Sequence, residues 1–106
     1  MSVVKRNGDV AEISAINANV LWSTMFDDSP DGLYLHFIQF NPAAEDDSLT
    51  VRNGATGPVI FYTKCTGDND QRIVYYQGVH LSPVIDYAAS TLTAGASVLI
   101  CRARTL

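Results

Sequence analysis

Charge is scarce in this chain: Asp, Glu, Lys and Arg supply 17% of its 106 residues, against roughly 25% in an average globular domain. A domain so short, with so few charged groups and 47% hydrophobic residues, leaves neutral or apolar side chains at its surface, and self-association or docking on a larger body is expected. Basic residues are fewer still, seven against eleven acidic ones, for a net charge of −4. Lys5, Arg6, Arg52, Lys64, Arg72, Arg102 and Arg104 are scattered, with only the first pair adjacent. A duplex-binding domain needs a basic stripe that releases counterions from phosphate, so no nucleic-acid partner is expected.

Long apolar runs are missing as well. Nothing approaches the roughly 18 residues of a membrane helix, and the segment Met1–Asp9 lacks the apolar stretch of a secretory signal. No membrane partner is expected, and the chain reads as made in a cytoplasm. Cysteine is limited to Cys65 and Cys101, far apart and with no second Cys or His at zinc-finger spacing. A disulfide between them could stabilise by roughly 4 kcal/mol on the chain-entropy model. In a cytoplasm, two buried thiols are the expected state.

Catalytic signatures are absent in turn. The two histidines, His36 and His80, have no strand–turn–helix nucleophile elbow and no Gly-x-Ser-x-Gly beside them. His36 reads as a packed histidine within a strand; His80, near a strand end, is the one candidate for a small β-barrel enzyme. The acidic runs Asp27-Asp28-(x)2-Asp31, Glu45-Asp46-Asp47 and Asp68-Asn69-Asp70 do not follow the EF-hand pattern and read as solvated turns. Gly54-Ala55-Thr56-Gly57 lacks the Gly-Lys-Ser/Thr ending of a phosphate loop and is read as a hairpin turn. No catalytic residue, metal ligand or cofactor is assigned.

What is present is strand signal. Val10–Ile13 is a short strand and Ile16–Met25 a stronger one, preferred over helix because Asn17, Asn19 and Val20 disfavour helix. Ser29-Pro30-Asp31-Gly32 turns the chain. Leu33–Phe40 places Leu33, Leu35 and Phe37 on one face and Tyr34, His36, Ile38 and Phe40 on the other. Both faces are apolar, which predicts a central strand covered on two sides. Ser48–Arg52 and Pro58–Cys65 flank the glycine-rich hairpin loop, and Gln71–Tyr76 and Val79–Leu81 are parted by Gly78. Pro83 then marks an edge or a crossing between sheets before Val84–Tyr87, residues 88–95 loop, and Ser97–Arg104 closes the chain. The spacing predicts one all-β domain over residues 1–106, a β-sandwich or jelly-roll of about eight short antiparallel strands, with residues 1–9 as an extended N-terminal arm.

Four residues are candidates for partner binding. Lys5 and Arg6 lie on the arm, placed to reach a neighbour. Tyr75 and Tyr76 are adjacent in a strand, so one of them must point away from the core. An edge or subunit contact explains that pair, and so does a sugar-stacking platform with Trp22, Tyr34, Tyr62 and Tyr87.

In layout the chain resembles the small β-sandwich capsid decoration (cement) and accessory virion proteins of tailed bacteriophages. The likeness rests on the weakly structured N-terminus, the hairpin around Asn53-Gly54-Ala55-Thr56-Gly57-Pro58-Val59-Ile60-Phe61, the glycine-led Gly78-Val79-His80-Leu81-Ser82-Pro83-Val84-Ile85-Asp86 segment and the closing apolar strand. The resemblance implies a non-enzymatic virion protein, made in the host cytoplasm, that assembles as a homotrimer on the major capsid protein or another virion protein and stabilises the coat. The alternative reading is a carbohydrate- or receptor-binding module at a phage tail or fibre tip.

Overall fold

A computed structural model of the chain describes residues 2–67 and 71–103; the acidic run at 68–70 and the basic Arg104 lie outside them. Nine strands are ordered along the described chain: β1 (Val3–Asn7), β2 (Val10–Ala15), β3 (Val20–Leu21), β4 (Leu33–Asn41), β5 (Ser48–Asn53), β6 (Val59–Lys64), β7 (Arg72–Leu81), β8 (Pro83–Ile85) and β9 (Ser97–Arg102). They form two antiparallel sheets, one in the order β1-β2-β9-β4-β7 and the other in the order β3-β8-β5-β6. The inward residues of both sheets make one core, with Ile13, Leu33, Leu35, Ile38, Phe40, Val98 and Ile100 from the first sheet against Val20, Leu49, Val51, Phe61 and Ile85 from the second. This is the all-β sandwich expected from the turn spacing.

Two segments depart from the sequence reading. Residues 3–7, expected in an arm, instead pair along β2 from Val3↔Ala15 to Asn7↔Val10, because Gly8 takes a φ of 63° and closes a tight hairpin. The strand expected over Ile16–Met25 is reduced to Val20–Leu21, followed by one turn of helix, α1 (Trp22–Met25). That turn buries Met25 and points the Trp22 indole N–H at the Pro30 carbonyl, 3.0 Å away. A packed core residue and a hydrogen-bonded, half-buried indole outweigh the weak local preference for strand.

Pro83 does cross between sheets. β7 ends in the first sheet at Leu81, and β8 opens at Pro83 in the second, opposite Asn53. The crossing is fastened by Ser82 N–H donating to Asn53 Oδ1 (2.9 Å) and Gly54 N–H donating to the Ser82 carbonyl (2.8 Å). Gly32 lies beneath it with φ 111°; a Cβ there would meet His80 Cε1 and the Leu81 carbonyl at 2.9 Å, so only glycine lets the Pro30–Gly32 turn sit against the end of β7.

Cys65 and Cys101 are both buried free thiols, one following β6 in the second sheet and the other on β9 in the first. Burial, helped by the nearby Asp9 carboxylate, raises the Cys101 thiol's pKa, which keeps it protonated and unreactive.

Candidate binding face

β4 carries the feature that shapes the surface. Its pairing slips between Leu35 and Phe37: against β9, Leu35 faces Arg102 and Phe37 faces Cys101, leaving His36 as an extra residue. Against β7 the same step spans Val79 to Tyr75, and there Gln77 (φ 52°) and Gly78 (φ 77°) adopt left-handed backbone. Such a bulge shifts the side-chain alternation by one residue. Leu33 and Leu35 point inward before it, Ile38 and Phe40 point inward after it, and both His36 and Phe37 face outward. The face expected to hold Leu33, Leu35 and Phe37 therefore does not exist as such. β4 is central, between β9 and β7, but its apolar residues are divided unequally: a closed aliphatic and Phe40 interior, and an open aromatic exterior.

The exterior is a row of rings. Phe37 and Tyr75 sit opposite each other with centroids 5.9 Å apart, and His36 lies 5.4 Å from Phe37 and 5.7 Å from Tyr75. Further along, Tyr34 and His80 face each other in an edge-on contact at 4.9 Å. These tilted and edge-on geometries are those ring quadrupoles favour. The rings brace one another, while Tyr75 remains 61% exposed and Tyr34 44% exposed. Ile73, also exposed, extends the row beyond Tyr75.

Tyr75 and Tyr76 divide as strand geometry requires. Tyr75 joins the outer row. Tyr76 turns inward, half-buried, and its hydroxyl donates to the Ile60 carbonyl of β6 at 2.6 Å, tying the edge of one sheet to the edge of the other. Burial raises the pKa of that phenol, so it stays a donor.

Lys5 and Arg6 lie on β1, at the opposite edge of the same sheet from β7. That edge lies across the sheet from Tyr75 and Tyr76. Lys5 is exposed opposite Glu12, whereas Arg6 is taken up in an ion-pair knot. Its guanidinium donates to Asp28 (3.0 and 3.1 Å) and Asp27 (3.1 Å), and its Nε to the Gly8 carbonyl (2.8 Å). Arg102 holds the same Asp28 from β9 (2.7 and 3.2 Å) and also reaches Asp9 (2.9 Å) and Ser29 Oγ (2.9 Å). Both guanidinium carbons lie over the buried Phe26 ring, at 5.2 and 4.9 Å. Arg102 first, then Arg6, hold the Asp28 carboxyl far below the usual carboxylate range. One exposed carboxylate thereby joins the first strand, the last strand and the loop before β4.

Between this knot and the Tyr34–His80 pair opens a cavity of about 740 Å³ whose walls also include Asp31 and Leu33. It has an aromatic wall and a charged wall, the two kinds of group that hold a polyhydroxylated ligand. Among the described residues, no three His, Cys, Asp or Glu side chains gather into a metal-binding set, and no helix is long and apolar enough to cross a membrane.

Comparison of the chain with protein-family models, with curated proteins and with solved structures found no match. The ring row was only partly visible in the sequence: the residues were there to see, but their shared face depends on the bulge. Its one local signal is Gly78 following Gln77 in the middle of an otherwise regular strand.

Proposed function

We propose that this chain is a non-enzymatic structural protein that works by docking on another protein surface, in the manner of the capsid decoration and accessory virion proteins its layout resembles. The observation supporting this reading is the row of ring contacts among Tyr34, His36, Phe37, Tyr75 and His80 on the outside of β4 and β7. Exposed rings held in place by their neighbours lose little conformational freedom on association, which is what makes tyrosine a frequent interface anchor. The fold adds rigidity: two sheets locked at one edge by Tyr76 and at the crossing by Asn53. On this reading the protein is made in the host cytoplasm, ends up in the virion, and adds interface free energy at many equivalent positions of the coat.

The test is co-sedimentation of the purified protein with particles of the virus encoding it. Saturable binding that drops about tenfold or more in Tyr34→Ala or His36→Ala is the expected result, the usual size of loss for an anchor residue. Both side chains lie outside the core, so the variants keep the fold. If particles neither carry nor bind the protein, the reading fails.

A second reading has its own support, the cavity beside Tyr34 and His80 with its charged far wall. It casts the domain as a carbohydrate- or receptor-binding module. Saturable binding on a glycan array, lost in Tyr34→Ala, would replace the first reading with this one.

A further inference from the structure

Among the described residues, β7 is the last strand of its sheet, paired with β4 on one side. It has ten residues, long for an edge, and exposed edges of this kind are templates for another strand. Its two ends are not equivalent. The bulge at Gln77 and Gly78 bends the strand away from extended geometry, leaving Arg72–Tyr76 as the straight part. In that part Ile73 and Tyr75 are exposed on the outer face, while Val74 and Tyr76 are half-buried on the inner one.

The geometry points to a second copy of this chain as the occupant: two β7 strands pair antiparallel about a two-fold axis through Val74. Directly opposed residues in an antiparallel pair must share a face, so only registers centred on a residue are open. Centred on Val74, the pairing sets Ile73 against Tyr75 of the copy twice, Val74 against itself, and Arg72 against Tyr76. Every exposed apolar side chain of the straight segment then meets another one, in the β-branched–aromatic combination that stabilises sheets. The two Arg72 side chains lie four residues apart in register, roughly 14 Å along the strand, beyond the screening length of about 8 Å.

Neighbouring registers do worse. Centred on Tyr75, Ile73 would face Gln77, whose φ of 52° breaks the ladder. Centred on Ile73, the two Arg72 draw within roughly 7 Å, inside the screening length. The sequence of the edge is self-complementary in one register only. The result is a ten-stranded sheet across two chains, with both ring rows on one continuous face. This pairing does not depend on what that face binds, and it gives a two-fold dimer in place of the homotrimer that the resemblance implies. Five residues per chain is a small contact, so association is concentration-dependent.

Sedimentation velocity over a wide concentration range tests it, with the double variants I73K/Y75K and I73E/Y75K. Both positions are exposed, and circular dichroism checks that the sandwich is kept. The wild type is expected to pass from monomer to dimer; I73K/Y75K, which sets lysine against lysine twice, weakens the dimer at least tenfold; I73E/Y75K, which sets glutamate against lysine, recovers it. Mild oxidation of Val74→Cys is expected to give a covalent dimer, since the self-opposed pair lies within disulfide reach. A wild type that stays monomeric, a stable trimer, or self-association of I73K/Y75K equal to wild type overturns the proposal. So does an I73E/Y75K variant no better associated than I73K/Y75K.

Discussion

Asp28 and Asp47 both come from acidic loop runs of the same appearance, and the fold uses them in opposite ways. Asp47 is fully buried, and its carboxylate takes the place of a missing sheet ladder. It accepts the backbone N–H groups of Ala43 (2.8 Å), Ala44 (3.0 Å) and Thr93 (3.2 Å), and the Thr93 hydroxyl (2.9 Å). That side chain ties the β4–β5 loop to the loop before β9, next to the backbone bridge between Ser48 and Thr91. Asp28 stands more than half exposed and holds its partners through charge, with Arg6 and Arg102 gripping it from β1 and β9. A buried acceptor must be replaced like for like, because four donors would otherwise lose their partner; an exposed one competes with water and salt.

That contrast can be broken most sharply at Asp47. Asp47→Ala is expected to cost about 1–3 kcal/mol in urea unfolding, the range for orphaning a buried donor, with Asp47→Asn recovering part of the loss because the amide still offers one oxygen. Acid sharpens the comparison. Burial alone would raise the pKa of Asp47, yet its donors together hold the carboxyl below the ordinary 3.8. Asp86 is held down similarly, chiefly by Arg52 at 2.8 Å. Groups lowered in the folded state stabilise it fully above the unfolded value and lose that contribution as pH falls through the folded one. Urea midpoints are therefore expected to hold from about pH 6 to about pH 5 and to fall steadily below about pH 4, with a shallower fall in Asp47→Asn.

At the exposed knot the effects are smaller. Arg102→Ala removes the grip on Asp9, Asp28 and Ser29 together with the cover over Phe26, and is expected to cost about 1 kcal/mol. Asp28→Asn gives the smallest shift in midpoint, and that shift should close in about 1 M salt, where screening reaches only about 3 Å. A salt-insensitive loss at Asp28, or a salt-sensitive one at Asp47, would erase the distinction.

The sequence exposed the strands better than the faces. Pro58–Cys65 read as a strand because β-branched and aromatic residues cluster there, and Ser97–Arg104 through its alternating faces; strands were found at Val59–Lys64 and Ser97–Arg102, and the turns at Pro30–Gly32 and Asn53–Gly57 carry their own backbone signals. The orientation of β4 was hidden because one inserted residue, His36, changes which side chains are buried, and the insertion is fixed by the partner strands. Asp47 read as a solvated turn because its Thr93 partners are 46 residues away. Arg6 read as free for the same reason: the aspartates that hold it follow 21 and 22 positions later. Local chemistry and the sheet crossing at Pro83 were legible; side-chain partnerships settled by distant residues were not.

The placement of β2 beside β9 constrains how the molecule comes into being. Arg102 and Asp9, 93 residues apart, meet at that seam, so the opening hairpin has no sheet to join until nearly all of the described chain has been made. Closing so long a loop must precede any reward from the contacts it brings, which places the domain among the slow folders, on the millisecond-to-second scale. During synthesis the early strands wait with their apolar edges uncovered. A chain emerging from the ribosome thus gains its final sheet in one late step, and a truncation before β9 removes the middle strand that joins the opening hairpin to β4.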